Sequence, residues 1–269
     1  MLITRAVTRS KRHPEADFSQ RLFANSLERY LPKIIIDRVD VWGQSLYHSV
    51  FACLLAVEIV CFNWLFPNLI PFSFFELWQE GTVKLPNIVQ AWPIFAWGIL
   101  ATGLHSVCTR NSAHHNRYAE RFLTRGFAIS LMAGVFEEII YRWLLFMASI
   151  PLVYFFGWCT FGLYAWLYTH VIGLIADYST GGYLHHILYN GYGWAIGSAA
   201  IYANSRFRDG HKYQGLLGLV NSWYIGMFMF YVVFAHGLLT AIMIHFLYDM
   251  FIFIVRYADA AIERKLGWI

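Results

Sequence analysis

Three ionisable residues lie close together within an otherwise apolar stretch of the chain. Glu137 and Glu138 are adjacent, and Arg142 follows Glu138 by four residues. In a helix, residues four apart share one face, so Arg142 would hold Glu138 ionised as an oriented support. Glu137 points about 100° away from Glu138 around the helix. Glu137 is therefore the candidate general base. The alternative interpretation of these three residues is a structural ion pair that locks two helices together.

Histidines in two further apolar stretches extend this pattern. His245 and Asp249 are four residues apart in the last apolar stretch, and His170 follows Trp166 by the same spacing. Histidine and carboxylate side chains commonly transfer protons in enzymes. An isolated polar group is costly to bury in an apolar environment. We therefore expect Glu137, His170 and His245 to converge on one polar cavity.

The composition indicates what surrounds these residues. The chain has 269 residues, of which 58% are hydrophobic, 19% aromatic and 13% charged. A soluble globular domain is about one quarter charged. So little charge excludes a disordered chain, a nucleic-acid-binding domain and an ordinary cytosolic enzyme. The predicted fold class is all-α, a polytopic transmembrane helix bundle with about six to eight membrane segments.

Seven stretches approach the length of about 20 apolar residues that a membrane helix needs. They are 46–66, 88–107, 127–147, 151–170, 183–203, 216–234 and 238–255. The stretch 183–203 contains two histidines, an asparagine and four glycines. Because backbone of this kind is tolerated at membrane depth when protein buries it, we interpret 183–203 as re-entrant or packed inside the bundle. Dividing 150–182 into two short helices would give eight crossings rather than six.

The basic residues predict the orientation. Lys and Arg favour cytoplasmic loops. One arrangement makes every Lys and Arg cytoplasmic except Lys84 and Arg142. Its cytoplasmic parts are the basic N-terminal segment 1–45, the loops 108–126 and 204–215, and the tail 257–269. We therefore predict an integral multi-pass membrane protein with cytoplasmic termini and a membrane-embedded domain at 46–256.

Taken together, the ionisable residues resemble the CPBP/ABI family of intramembrane proteases, whose best-known members are the type II CAAX prenyl proteases. The family pattern is Glu-Glu-x-x-x-Arg, then Phe-x-x-x-His, then His-x-x-x-Asn or Asp. The corresponding motifs here are Glu137-Glu138-x-x-x-Arg142, Trp166-x-x-x-His170 and His245-x-x-x-Asp249. The likeness covers residues 127–170 and 221–255.

The resemblance implies a membrane-embedded peptidase that hydrolyses a peptide bond with an activated water. The catalytic residues it implies are Glu137, His170, His245 and Asp249. Glu137 and His170 would activate the water, and His245 with Asp249 would stabilise the oxyanion. Glu138 and Arg142 would orient the site. This mechanism needs no cofactor; zinc is the alternative, since it accepts histidine and glutamate ligands, although the HExxH spacing of helical zinc proteases is absent.

The chain departs from the family pattern at three points. Trp166 stands where the pattern has Phe, and Asp249 stands where Asn is often found. The long gap between the second and third motifs suggests an insertion at 171–215. In addition, His186-x-x-x-Asn190 fits the third motif, so either Asp249 or Asn190 could complete it.

These features predict an intramembrane endopeptidase that acts on a membrane-associated peptide or protein. The lipid bilayer is the other expected partner, and no nucleic acid is expected. A function from another class uses the same buried charges. The chain would then be a non-catalytic membrane scaffold or a proton-coupled transporter.

Overall fold

A computed structural model describes residues 41–78, 84–109, 127, 130–189, 193–212 and 215–265. All regular secondary structure in these residues is helical, so the predicted all-α fold class is confirmed. The chain divides into two compact units, residues 1–47 and 48–269. Most of the predicted N-terminal segment 1–45 and of the loop 108–126 lies outside the described residues.

The helices follow one another through short connections. In chain order they are α1 (Val41–Leu65), α2 (Leu85–Gln90), α3 (Trp92–Thr109), α4 (Ser130–Cys159), α5 (Leu163–Leu167), α6 (Gly173–Ser179), α7 (His185–Tyr189), α8 (Gly193–Gly210), α9 (Gly215–His236) and α10 (Leu238–Lys265). A 3-10 turn covers Glu76–Trp78, and a π-helical turn at Tyr168–Ile172 joins α5 to α6.

Four of the described helices are long and apolar enough to cross a membrane. They are Leu46–Leu65, Ser130–Cys159, Gly215–His236 and Leu238–Asp259. A further apolar helix, Trp92–Leu104, is shorter. Leu54, Trp64 and Ile254 are among many large apolar side chains on these helices that face outward. Such surfaces suit a lipid environment, as the composition predicts. The predicted count of six to eight segments exceeds the four helices that meet both criteria in the described residues.

Helix α4 runs through a position where the sequence predicts a break. The stretches 127–147 and 151–170 were expected to be separate segments, but α4 continues through Pro151 to Cys159. Proline lacks an N–H group and normally kinks a helix, and its effect is tolerated where surrounding protein buries the freed backbone. Pro151 is buried. The helix ends at Cys159, and Gly162 follows it with a φ of 84° and donates its N–H to the carbonyl of Gly157.

Residues 163–189 form a helical hairpin beside α8. The run from α5 to α6 begins near Trp194, whose ring lies 6.4 Å from that of Tyr164. It reaches Ser179, whose Oγ accepts a hydrogen bond from Trp223. Helix α7 then returns, and its Leu188 carbonyl accepts a hydrogen bond from Tyr168. The predicted unit 183–203 is thus divided between α7 and α8.

Helix α8 lies inside the bundle, as the sequence predicts for this part of the chain. Ala195, Ala199 and Ala203 are fully buried along it. Tyr141 of α4 packs on Phe207 near one end of α8, and Gly157 packs on Trp194 near the other, so the two helices are antiparallel. A helix in this position is central to the fold, whereas the sequence suggested that 171–215 contains an insertion.

Candidate active site

A close approach of α4 and α10 brings the first and third motifs together. A side chain at Gly134 would lie 3.2 Å from the backbone of Ile242 and Phe246. The absence of a Cβ atom at Gly134 therefore allows the two helix backbones to touch one turn before Glu138. At this contact α4 becomes a π-helix over Glu138–Leu145. Turns of this type occur frequently at functional sites.

Glu138, Arg142 and His245 form the buried floor of the site. Glu138 and Arg142 are completely inaccessible, and His245 is 4% exposed. His245 Nδ1 lies 2.6 Å from Glu138 Oε1, a hydrogen bond that joins α10 to α4. Arg142 Nε lies 3.4 Å from the other carboxylate oxygen, Oε2. In a hydrogen bond to an ionised carboxylate, which only accepts, Nδ1 carries a proton, and Nε2 faces the opposite way.

The free edge of His245 faces two further carboxylates. Nε2 lies 3.8 Å from Glu137 Oε2 and 3.9 Å from Asp249 Oδ2. The Glu137 and Asp249 side chains are 25% and 27% exposed, so this side of the cluster is open. Separations of this size are too long for direct hydrogen bonds, so these polar atoms are available to a water or a substrate oxygen that approaches from the exposed side. Five of the sequence-predicted site residues therefore lie in one cluster: Glu137, Glu138, Arg142, His245 and Asp249.

The structure does not bring His170 into this cluster. Its side chain is exposed, and its ring stacks on Trp166 with centroids 4.8 Å apart. Its Nδ1 lies 2.8 Å from the Trp166 carbonyl oxygen within the same helical run. Among the described residues, His170 makes no hydrogen bond or ion pair with Glu137 or Asp249. The expected convergence therefore holds for Glu137 and His245 and does not include His170.

Phe207, near the end of α8, packs on the cluster instead, and His211 follows directly after this helix. The ring centroid of Phe207 lies 4.0 Å from the Arg142 guanidinium carbon and 6.3 Å from the His245 ring. His211 lies one turn further on and is close enough to Asp249 to interact with it electrostatically. Phe207 and His211 also have the Phe-x-x-x-His spacing of the second motif, with Phe in place of Trp166. This spacing is the signal in the sequence by which they could be found.

A small ion-pair network stabilises the end of α8 that carries His211. Asp209 Oδ1 accepts hydrogen bonds from Arg208, and Lys212 Nζ lies 3.0 Å from Asp209 Oδ2. Partial burial raises the pKa of Asp209, but the bonds and charges of Arg208 and Lys212 outweigh this and bring it below the usual value. Asp209 is therefore ionised at neutral pH and keeps both cations at this helix end.

The alternative third motif lies elsewhere. His186 is exposed on α7, and Asn190 lies outside the described residues. No group of three His, Cys, Asp or Glu side chains in the described part of the chain is arranged to hold a metal ion.

The fold and the cluster define an all-α membrane protein with a carboxylate–histidine centre between its helices. No protein-family model, curated protein or solved structure matches the chain.

Proposed function

We propose that this protein is an intramembrane endopeptidase. The observation that supports this most strongly is that Glu137 and Asp249, both partly exposed, lie within 4 Å of His245 Nε2 beside a buried Glu138–Arg142 pair. Residues 137 and 245 are far apart in the chain, so only the fold unites them. A base and a hydrogen-bond donor side by side at an exposed edge are the parts that hydrolysis by an activated water requires.

In the proposed reaction a water molecule lies between Glu137 and His245. Glu137 takes a proton from the water as its oxygen attacks the carbonyl carbon of the substrate. The doubly protonated His245 donates from Nε2 to the oxyanion that forms, while Nδ1–H remains bonded to Glu138. When the carbon–nitrogen bond breaks, Glu137 returns the proton to the leaving amine. Asp249, beside Nε2, stabilises the charged imidazole.

The resemblance gives a second histidine, His170, the role of activating the water with Glu137, and we propose that His211 has this role instead. Both histidines contact the aromatic residue four positions earlier, since the His211 ring packs on Phe207 as the His170 ring does on Trp166. They differ in position, because Phe207 also packs on Arg142 and on His245, and the charge of His211 acts on Asp249. We expect His211→Ala to lower the rate of peptide cleavage about 100-fold, a typical contribution of a positioned acid–base group. His170→Ala is the matched control and should cleave at the parent rate.

Both variants would be assayed as purified protein in detergent micelles with a library of fluorescence-quenched peptides. If His170→Ala were inactive and His211→Ala fully active, the assignment of the second histidine would be wrong. If the parent protein cleaved no peptide in the library or in a membrane-protein extract, the proposed activity itself would be rejected.

The mechanism predicts that cleavage does not depend on a metal ion. We expect the purified protein to retain full activity after prolonged incubation with EDTA and with 1,10-phenanthroline. Each step described above uses side chains of the chain and a water. Loss of activity in both chelators, with recovery on adding zinc alone, would replace this mechanism with a zinc-dependent one.

A further inference from the structure

Arg142 has more hydrogen-bonding capacity than its ion pair with Glu138 uses. A guanidinium carries five N–H donors. Arg142 is fully buried, and none of Nε, Nη1 and Nη2 forms a hydrogen bond with a described residue. The Phe207 and Phe230 rings lie 4.0 and 5.9 Å from its guanidinium carbon and offer only their faces. Because buried polar groups are almost always paired, the remaining donors require an acceptor nearby.

Asn204 provides such an acceptor. It lies on α8, is completely buried, and donates from Nδ2 to the Trp223 carbonyl of α9 at 3.1 Å. Its Oδ1 has no hydrogen-bond partner among the described residues. The Asn204 amide therefore has a bonded Nδ2 donor and an unbonded Oδ1 acceptor. This acceptor lies in the same part of the bundle as the unpaired donors of Arg142.

Gly226 of α9 forms the notch in which these two groups meet. A Cβ atom at Gly226 would collide with Asn204 Oδ1 and would lie 2.9 Å from Arg142 Nη2. The oxygen and the guanidinium nitrogen therefore occupy the space that any larger residue would fill. Because Gly226 has no side chain, Asn204 Oδ1 and Arg142 Nη2 can lie beside each other in the interior.

We infer that Asn204 is a positioning residue for the candidate active site, acting on Arg142 through its Oδ1 atom, directly or through one internal water. Arg142 pairs with Glu138, and Glu138 holds His245, so the effect of Asn204 reaches the reacting groups through three side chains. This inference rests on the proposed function for its kinetic consequence. The Asn204–Arg142 contact itself does not depend on that function.

Two substitutions separate the two halves of the Asn204 amide. Asn204→Leu removes both the oxygen and the donor. Asn204→Asp keeps an oxygen acceptor for Arg142 and loses the donor to Trp223. We expect Asn204→Leu to lower kcat between about 10- and 100-fold at unchanged KM, because a small displacement of reacting groups has effects of this size. Asn204→Asp should restore kcat to near the parent value.

A purely structural role for Asn204 predicts a different pattern. If the amide only tied α8 to α9 through Trp223, the two variants would lose thermal stability together and would not differ in kcat. Equal kcat values for Asn204→Leu and Asn204→Asp would therefore overturn the inference. The assay uses a fluorescence-quenched peptide that the full-length parent protein cleaves.

Asn221 offers a matched control on α9. It also joins helices through an amide, since its Oδ1 accepts a hydrogen bond from Trp97 at 2.9 Å. Asn221→Leu should lower thermal stability and leave kcat at the parent value. Gly226→Ala should lower kcat as Asn204→Leu does, while Gly103→Ala, where nothing lies within 4 Å, should not.

A double-mutant cycle tests the Asn204–Arg142 contact without any activity. Arg142→Lys keeps the charge opposite Glu138 but removes the Nη groups, so it should fold more readily than a neutral replacement. We expect the Tm losses of Arg142→Lys and Asn204→Leu to be less than additive when combined, and those of Arg142→Lys and Asn221→Leu to be additive. Additive losses in the first pair would overturn the inference even in an active protease. If the Tm losses of Arg142→Lys and Asn204→Leu were coupled but the parent protein cleaved no peptide, the Asn204–Arg142 contact would stand and only the proposed function would be rejected.

Discussion

Replacing Glu137 with Gln should abolish peptide cleavage and leave the fold intact. Glu137 is a partly exposed carboxylate that faces His245 Nε2 at 3.8 Å. The amide of Gln has nearly the same shape but cannot take a proton from water. Since general bases contribute about 10²- to 10⁴-fold to rates, we expect cleavage to fall at least 100-fold. The measurement is the initial rate on a fluorescence-quenched peptide, with the unfolding temperature of the same preparation as a check on folding.

Asp177→Asn is the matched control for this variant. Asp177 is a carboxylate paired with a histidine, His185, at 2.9 Å, outside the cluster. Removing its charge should leave cleavage at the parent rate. Full activity in Glu137→Gln would contradict the proposed mechanism. If the parent protein instead moved protons across liposomes and Glu137→Gln stopped that movement, a proton-coupled transporter would be the better description of this site.

Removing one member of the buried Glu138–Arg142 pair should destabilise the protein strongly. Both side chains are fully buried, and Glu138 bonds to His245 as well. Loss of Arg142 removes the arginine partner of a buried carboxylate, and breaking a buried ion pair in this way typically costs about 3–5 kcal/mol. We expect this loss of unfolding free energy for Arg142→Met in detergent titrations. Combining it with Glu138→Gln should recover about 0.5–3 kcal/mol relative to the sum of the single effects.

The exposed pair at the end of α8 is the comparison for this result. Arg208 Nη2 and Asp209 Oδ1 are 2.7 Å apart, but both side chains are partly exposed. Arg208→Met should lower stability by about 1 kcal/mol or less, because water screens such a pair. Equal losses for Arg142→Met and Arg208→Met would show that the Glu138–Arg142 pair does not hold α4 in its observed arrangement.

The local pairs of the site could be predicted from spacing alone. Glu138 with Arg142, and His245 with Asp249, are each four residues apart. Helical geometry places residues at that spacing on one face whatever the rest of the chain does. The all-α fold class and the outward-facing apolar side chains could likewise be predicted, because they depend on composition and on segment length.

The choice of the second histidine depends on the tertiary structure. Trp166–His170 and Phe207–His211 have the same spacing, so spacing does not distinguish them. The proposed choice of His211 rests on where the two pairs lie: Phe207 packs on Arg142, while Trp166 and His170 are exposed on the hairpin. The course of α4 through Pro151 is also a result of packing, because only burial by neighbouring helices makes the freed backbone tolerable.

Sequence alone therefore determined which residues could pair within a helix, since the helical repeat is a local property of the backbone. Tertiary structure decided which helices meet, since this depends on the fit of whole surfaces. The missing Cβ atom at Gly134 lets α4 approach α10, and the one at Gly226 leaves room for Asn204 beside Arg142. Neither glycine is marked by a periodic pattern. Their effect exists only once a second helix lies against them, so the site around His245 could not be completed from the sequence.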